Sequence, residues 1–340
     1  MGPAKEADSY ELLKLSAHSQ SIASRHNSIP EWVWMKEEVE RRCDVYGQTR
    51  AIDLAAGSRR RVVAERIDAH HHLWQHSAAE YGWIDDSMSA LRRDFLPKDL
   101  VATMASAGVD GSVTVQARQT VEETRWLLGL ADECPAIRGV VGWAPIAGED
   151  FPRVMEEFAD SEKLKGLRHV IQGEKDENYI LREDFNSGIR AMLGSGLVYD
   201  ILVYERHLPQ TIEFVDRHPE QVFVLDHVAK PMIREGLLEP WASRMRELGK
   251  RENVWCKVSG MVTEADWTAW SPEGLRPYLD VAVEAFGVER LMAGSDWPVC
   301  LVASGYARWF DALRNYFAGF SEGERDAVFG GTATEVYRLR

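Results

Sequence analysis

Cysteine is scarce in this 340-residue chain: Cys43, Cys134, Cys256 and Cys300 are far apart and form no C-x-x-C pair. That argues against a disulfide framework and a thiolate metal cluster, and it predicts reduced thiols in a cytoplasmic protein. Positive charge is also in deficit. Forty Lys and Arg against 54 Asp and Glu give a formal net charge of -14, which argues against a nucleic-acid-binding or anionic-membrane surface. No apolar run approaches the length of a membrane span. The stretch from Met1 to Ser28 is polar and mixed in charge, without the apolar centre of a signal peptide. No glycine-rich dinucleotide fingerprint follows the first strand candidate, and there is no P-loop and no low-complexity segment.

What is present is an ordinary globular composition, 45% hydrophobic and 28% charged, enough for one large core or two ordinary ones. Residues 1–65 differ in texture from the rest. Ser28-Ile29-Pro30-Glu31 resembles a capping box, and Trp32, Met35, Val39, Cys43 and Tyr46 follow at spacings of three and four. This predicts an amphipathic helix lying on the main body or on a partner subunit, so a homo-oligomer formed through this N-terminal helical extension is expected. Arg59-Arg60-Arg61 reads as part of a solvated connector.

From residue 66 onward, short β-rich runs alternate with helical periods. Strands are expected at 66–69, 111–115, 139–143, 166–171, 198–203, 222–225, 254–258 and 290–293. Helices are expected at 97–107, 121–134, 151–161, 182–193, 208–218, 240–251, 272–286 and 303–317. This alternation implies parallel βαβ units. Eight units in ~275 residues predict a (β/α)8 TIM-type barrel over 66–340 rather than an open doubly wound sheet.

Barrel enzymes carry their chemistry at the C-terminal ends of strands, and the polar residues gather there. The first strand ends in His70-His71-His72; residues two apart share a face, so His70 and His72 present two imidazoles together and His71 points away. Gln116 and Arg118 end the second strand, Arg168 and His169 the fourth with Gln172 beyond, and Tyr204 follows the fifth. Asp226-His227 ends the sixth, Lys257 and Ser259 the seventh, and Gly294-Ser295-Asp296-Trp297-Pro298 the eighth. Individually these have plainer readings. Asp296 could cap a helix, His227 could be a satisfied core histidine, Arg118 and Lys257 could be rim charges, and tryptophans are more often core than ligand-stacking.

The ordered set Ile67-Asp68-Ala69-His70-His71-His72-Leu73-Trp74, Arg93-Asp94-Phe95-Leu96-Pro97, Val140-Val141-Gly142-Trp143, Gly166-Leu167-Arg168-His169, Leu225-Asp226-His227-Val228-Ala229-Lys230-Pro231, Cys256-Lys257-Val258-Ser259-Gly260 and Gly294-Ser295-Asp296-Trp297-Pro298 resembles the amidohydrolase superfamily. Within it, the resemblance is to the sugar-lactone hydrolase branch, the amidohydrolase 2 group of L-fuconolactonase-, L-rhamnonolactonase- and 2-pyrone-4,6-dicarboxylate lactonase-like enzymes. It implies a barrel that hydrolyses a cyclic ester, with the strand-one pair at His70 and His72, the strand-six histidine at His227 and the strand-eight aspartate at Asp296. The 65-residue leader has no counterpart in the compact members of that family, and the triple histidine departs slightly from its pattern.

Ester hydrolysis needs a deprotonated water, stabilisation of an oxyanion and a proton for the leaving alkoxide. Asp296 is the expected general base, with His227 and either Arg168 or His169 as oxyanion donors. His70, His72 and Asp296 are the expected ligands of one divalent ion, zinc by preference, although a metal-independent version also exists within the resemblance. Gln116, Gln172, Tyr204, Lys257, Trp74 and Trp297 are expected to contact a sugar-acid lactone, with Arg118 and Arg168 as further substrate contacts. An anionic lactone would require two inward arginines, of which Arg118 and Arg168 are the strand-end candidates. A metal-dependent decarboxylase on the same barrel is the second enzymatic alternative, and an inactive binding barrel is the third.

Overall fold

A computed structural model of the chain describes residues 64–340. The expected leader helix, its role in oligomerisation and the Arg59-Arg60-Arg61 connector lie outside those residues. Eight parallel strands neighbour one another in sequence order: β1 (Ile67–His71), β2 (Gly111–Val115), β3 (Ile137–Gly142), β4 (Leu164–His169), β5 (Val198–Ile201), β6 (Phe223–Leu225), β7 (Val254–Val258) and β8 (Leu291–Ala293). A principal helix follows each: α1 (Pro97–Ser106), α2 (Val121–Glu133), α3 (Phe151–Glu157), α4 (Glu183–Met192), α5 (Leu208–Asp216), α6 (Trp241–Leu248), α7 (Pro272–Phe286) and α8 (Tyr306–Tyr316), with two short helices, α9 (Glu322–Asp326) and α10 (Thr332–Val336), at the C-terminal end. The architecture is the expected (β/α)8 barrel. Two strands stop short of their sequence pattern. β4 ends at His169 because 171–173 turns away as a 3-10 helix, and β5 ends at Ile201 although apolar residues continue to Val203.

Local chemistry sets the helix starts. Pro97 opens α1 with its fixed φ, and Asp99 accepts from the Leu96 N–H at 3.2 Å. Thr120 caps α2 by accepting from Glu123 N at 3.2 Å, and Ser271 caps α7 by accepting from Gly274 N at 3.2 Å. The strands are buried on both faces, so they read as nearly continuous apolar runs.

The barrel interior is layered. At its N-terminal end Ile67, Val113, Val141, Val198, Val224 and Met292 pack with the C-terminal residues Ala333, Val336, Tyr337 and Leu339 as an apolar plug. Above the plug lies a charged layer of Arg168, Asp200, Asp226 and Lys257, all buried. Lys257 Nζ donates to Asp200 and lies 3.0 Å from Asp226 Oδ1, while Arg168 Nη1 donates to Asp226 Oδ2 at 2.9 Å. Tyr337 reaches up from the plug and donates to Asp200 Oδ1 at 2.8 Å. Two cations thus face two carboxylates, and the layer is neutral without help from solvent.

The barrel closes where the chemistry sits. Asp296 N donates to His70 O at 2.8 Å, and His72 N donates to Trp297 O at 2.6 Å. Asp68 on β1 reinforces this seam by accepting from Ser295 N at 2.8 Å, Ser295 Oγ at 2.6 Å and Tyr306 Oη at 3.0 Å. A register irregularity between Asp68 and His71 lets β1 send Ala69 into the apolar interior and still deliver His70 to the charged layer.

Lys257→Met should therefore cost about 3–5 kcal/mol of unfolding free energy, because it strands two buried carboxylates. Urea denaturation checks this, and the double replacement Lys257→Met with Asp200→Leu should recover part of the loss.

Candidate active site

Four side chains converge at the top of the charged layer. His70 and His72 arrive from β1, His227 from the turn after β6 and Asp296 from the turn after β8. Asp296 Oδ1 lies 3.4 Å from His72 Nε2, 3.8 Å from His70 Nε2 and 3.9 Å from His227 Nε2. His70 Nε2 is 3.2 Å from His72 Nε2, and the His70 and His227 ring centroids are 4.4 Å apart.

The other ring nitrogens decide what these atoms offer. His72 Nδ1 is 2.8 Å from the carbonyl oxygen of Val115, which only accepts, so Nδ1 carries the proton and Nε2 a lone pair. His70 Nδ1 lies 3.3 Å from Asp226 Oδ1 and 3.2 Å from Lys257 Nζ; with its proton turned to the carboxylate, Nε2 would be bare as well. His227 Nδ1 is 2.9 Å from Ser259 Oγ, a hydroxyl that can accept or donate. Bare imidazole nitrogens and a carboxylate oxygen pointed at one another repel unless a cation lies among them. The donor set fits one divalent ion, and ligand atoms of His70, His227 and Asp296 all fall within 4.8 Å of one another.

Backbone geometry confirms how closely the site is constrained. His227, Val228, Ala229 and Lys230 have φ of 52°, 47°, 58° and 49°, and Asp296 has φ of 56°. Four consecutive left-handed residues without glycine are costly, of order 1–3 kcal/mol each. Trp241 Nε1 donates to Val228 O at 2.7 Å, and Lys230 N to His227 O at 2.8 Å, which pins the turn. Gly260 (φ +63°) backs onto the His227 ring, where a Cβ would sit 2.5 Å from Nδ1.

Burial drives the His70 imidazole well below its ordinary range and His227 to about 4, so both are neutral near pH 7. Burial alone would raise the Asp296 carboxyl, but His227, His72 and Lys230 outweigh it and hold the group below the usual carboxylate range. Asp226 behaves likewise: burial opposes its charge, and Lys257, His70 and Arg168 together keep it ionised.

Other residues expected at the site are placed differently. Lys257 is fully buried in the charged layer rather than facing substrate, because two carboxylates hold its ammonium. Gln116 is buried and spends its side-chain oxygen on Arg168 Nη2 at 3.1 Å. Trp74 is buried, donating to Arg93 O at 3.0 Å, and Trp297 is buried edge-on to Phe95. His169 is outside the cluster: its Nε2 is 2.7 Å from Glu174 Oε1, its Nδ1 accepts from Trp143 Nε1 at 3.3 Å, and its ring stacks on Tyr179. Arg118 is at the rim, paired with Glu80. Arg168 does reach the site, with Nη1 3.4 Å from His70 Nε2. His71 turns away, as expected, to Ser112 and Thr114.

Sequence reading gave no role to Lys230 and Glu264, whose charged ends are 3.6 Å apart, with Lys230 Nζ 5.5 Å from the Tyr204 ring centroid. Lys230 lies in one of the family-like segments, three residues after His227, and that proximity was the available signal. Glu264 follows no strand end and carried none. Gln172 Oε1 is buried and, among the described residues, has no hydrogen-bond partner.

Gly260→Ala should push the His227 ring off its position. Zinc affinity, measured by competition with a chromogenic chelator, is expected to fall about 10–100-fold, with far-UV circular dichroism unchanged.

Comparison with known proteins agrees with this geometry. The sequence profile of the amidohydrolase family matches residues 67–339. An L-fucono-1,5-lactonase from Burkholderia multivorans is 40% identical over 289 residues, 81% of this chain and 97% of that protein. An L-fucono-1,5-lactonase from Burkholderia ambifaria is 38% identical over 282 residues, 81% of this chain and 96% of that protein. The crystal structure of a Burkholderia multivorans amidohydrolase with bound zinc superposes with a TM-score of 0.79 at 39% identity, covering 82% of this chain and all of that one. A barrel closed through its own histidine–aspartate cluster, matched over nearly all the described residues, makes this chain a member of the amidohydrolase family.

Proposed function

We propose that the protein hydrolyses the ring ester of a neutral sugar-acid lactone. The observation that carries this reading is the convergence of three imidazoles and the Asp296 carboxylate on one point at the C-terminal mouth of the barrel. Its substrate side rests on the curated L-fucono-1,5-lactonase relatives and on the arginines. An anionic lactone needs free guanidinium groups, yet Arg118 is paired with Glu80 and Arg168 with Asp226. Arg168 is thereby committed to the interior, and Arg118 sits at the rim rather than at the catalytic point.

Asp296 is the general base. Held ionised below the usual carboxylate range, it accepts a proton from the attacking water and later returns it to the ring alkoxide as the acyl–oxygen bond breaks. His70, His72, His227 and Asp296 would hold a divalent ion, zinc by preference. When bound, it polarises the lactone carbonyl and makes water more acidic. Arg168, through Nη1 beside His70, places a fixed positive charge beneath the developing oxyanion. Gln172 Oε1, Tyr204 and the Lys230–Glu264 pair supply hydrogen-bonding groups for substrate hydroxyls.

Asp296→Asn should lower kcat by about 10³-fold or more with an unchanged melting temperature. A pH-indicator assay across neutral and anionic lactones reads both turnover and substrate class. Turnover confined to anionic lactones would overturn the substrate assignment, and near-full turnover by the variant would overturn the role of Asp296.

The pH profile follows from the same groups. Asp296 is deprotonated and His227 neutral at pH 7, so kcat/KM should stay level as pH falls towards 5. It should then drop as protons compete with the ion for the His227 nitrogen, whose imidazole burial lowers to about 4 in the metal-free protein. Initial rates corrected for spontaneous hydrolysis check this.

A further inference from the structure

The opposite end of the barrel carries charge of the opposite sign to the whole protein. Between the N-terminal ends of β3, β4 and β5 and the last residues of the chain lies a cavity of about 340 Å³. Arg138, Lys163, Lys165, Arg338 and Arg340 line it, against one acidic side chain, Glu162. Elsewhere the surface arginines are mostly paired, as Arg125 is with Glu157 and Arg251 with Asp216. In the cavity Arg138 pairs with Glu65. Among the described residues, Lys163, Lys165, Arg338 and Arg340 make no ion pair.

Three of these cations have defined contacts. Lys163 Nζ donates to Ile137 O at 2.8 Å and Lys165 Nζ to Arg338 O at 3.2 Å. Arg338 has a left-handed φ of 49°, and its guanidinium lies over Gly196, where any Cβ would collide with Nη1. Crowding is evident at the lysines. Burial lowers the Lys165 ammonium, and Arg340, Lys163 and Arg338 lower it further; burial and then Arg138 lower Lys163. A bound anion relieves both the repulsion and the lost solvation.

We propose that this cavity binds a small phosphate-bearing anion, held by Lys165, Arg338 and Arg340 and independent of the catalytic end. Lysine point charges together with arginine forks suit phosphate oxygens. The volume falls within the range of small-molecule sites and exceeds the need of inorganic phosphate alone. Both the free ion and a phosphomonoester carry the required chemistry.

The test follows the melting temperature of the full chain against inorganic phosphate, glycerol 3-phosphate and chloride at matched ionic strength. Phosphate compounds should give a saturable rise of about 2–4 °C at tenfold excess over Kd, and chloride none. A larger rise with the ester identifies a phosphorylated metabolite as the ligand, and equal rises identify the free ion. Lys165→Gln with Arg338→Gln should remove about three quarters of the rise while lactone turnover stays intact. A folding defect in that pair would also blunt the rise, so Arg340→Gln, at the last residue, is read separately and should weaken phosphate about five- to tenfold. No saturable rise in the unaltered protein overturns the proposal. So does a rise that survives both sets of substitutions, which would place the phosphate at the catalytic end.

Discussion

The top of this barrel rests on one fully buried carboxylate. Asp226 meets Lys257 Nζ at 3.0 Å, Arg168 Nη1 at 2.9 Å and His70 Nδ1 at 3.3 Å. A carboxylate buried alone would take up a proton, and an ammonium buried alone would give one up. Grouped with Lys257 and Arg168, the Asp226 carboxyl is held well below the usual range, while burial raises its neighbour Asp200 to about 6. The consequence for His70 is direct: an ionised Asp226 beside Nδ1 favours a proton on that nitrogen, which would turn a bare Nε2 towards the catalytic point. The neutral quartet beneath the site thus determines what the site can coordinate.

The left-handed turn immediately after Asp226 extends that logic. The chain carries His227, Val228, Ala229 and Lys230 through a conformation that L-residues resist. The surrounding structure tolerates it because Val228 and Ala229 are fully buried and Trp241 holds the Val228 carbonyl. In return, one short turn directs His227 at Asp296 and sets Lys230 beside Glu264 at the mouth. A relaxed right-handed turn would aim these side chains elsewhere. Gly260 completes the arrangement by giving the His227 ring the space a side chain would fill.

The barrel was legible in the sequence because fully buried parallel strands have a plain signature, and eight of them alternated with helical periods. The His70–His72 pair, His227 and Asp296 were legible because strand-end position is also a positional code. Substrate contacts were harder to read, since sequence places a residue at a strand end without saying whether its side chain faces the mouth or the interior. Lys257 and Gln116 sit at such ends and point into the charged layer, where Asp200, Asp226 and Arg168 hold them. His169 sits apart from the cluster for a related reason. Its neighbour Arg168 takes the inward direction, which leaves His169 to Glu174 and Trp143. Glu264, which reaches the mouth from a loop, had no periodic pattern to reveal it.

Electrostatics at the mouth also bear on which lactone can enter. Every cation near the catalytic point is already matched: Arg168 and Lys257 by the buried carboxylates, Lys230 by Glu264, Arg118 by Glu80. Asp296 remains ionised with neutral imidazoles around it, so without a bound metal the local potential is negative. One divalent ion among the four ligands would convert that to a modest positive charge, enough to polarise a carbonyl and too little to repay the desolvation of an additional carboxylate. A neutral polyhydroxylated ring pays no such cost, so the pairing that stabilises the barrel favours the neutral lactone proposed above.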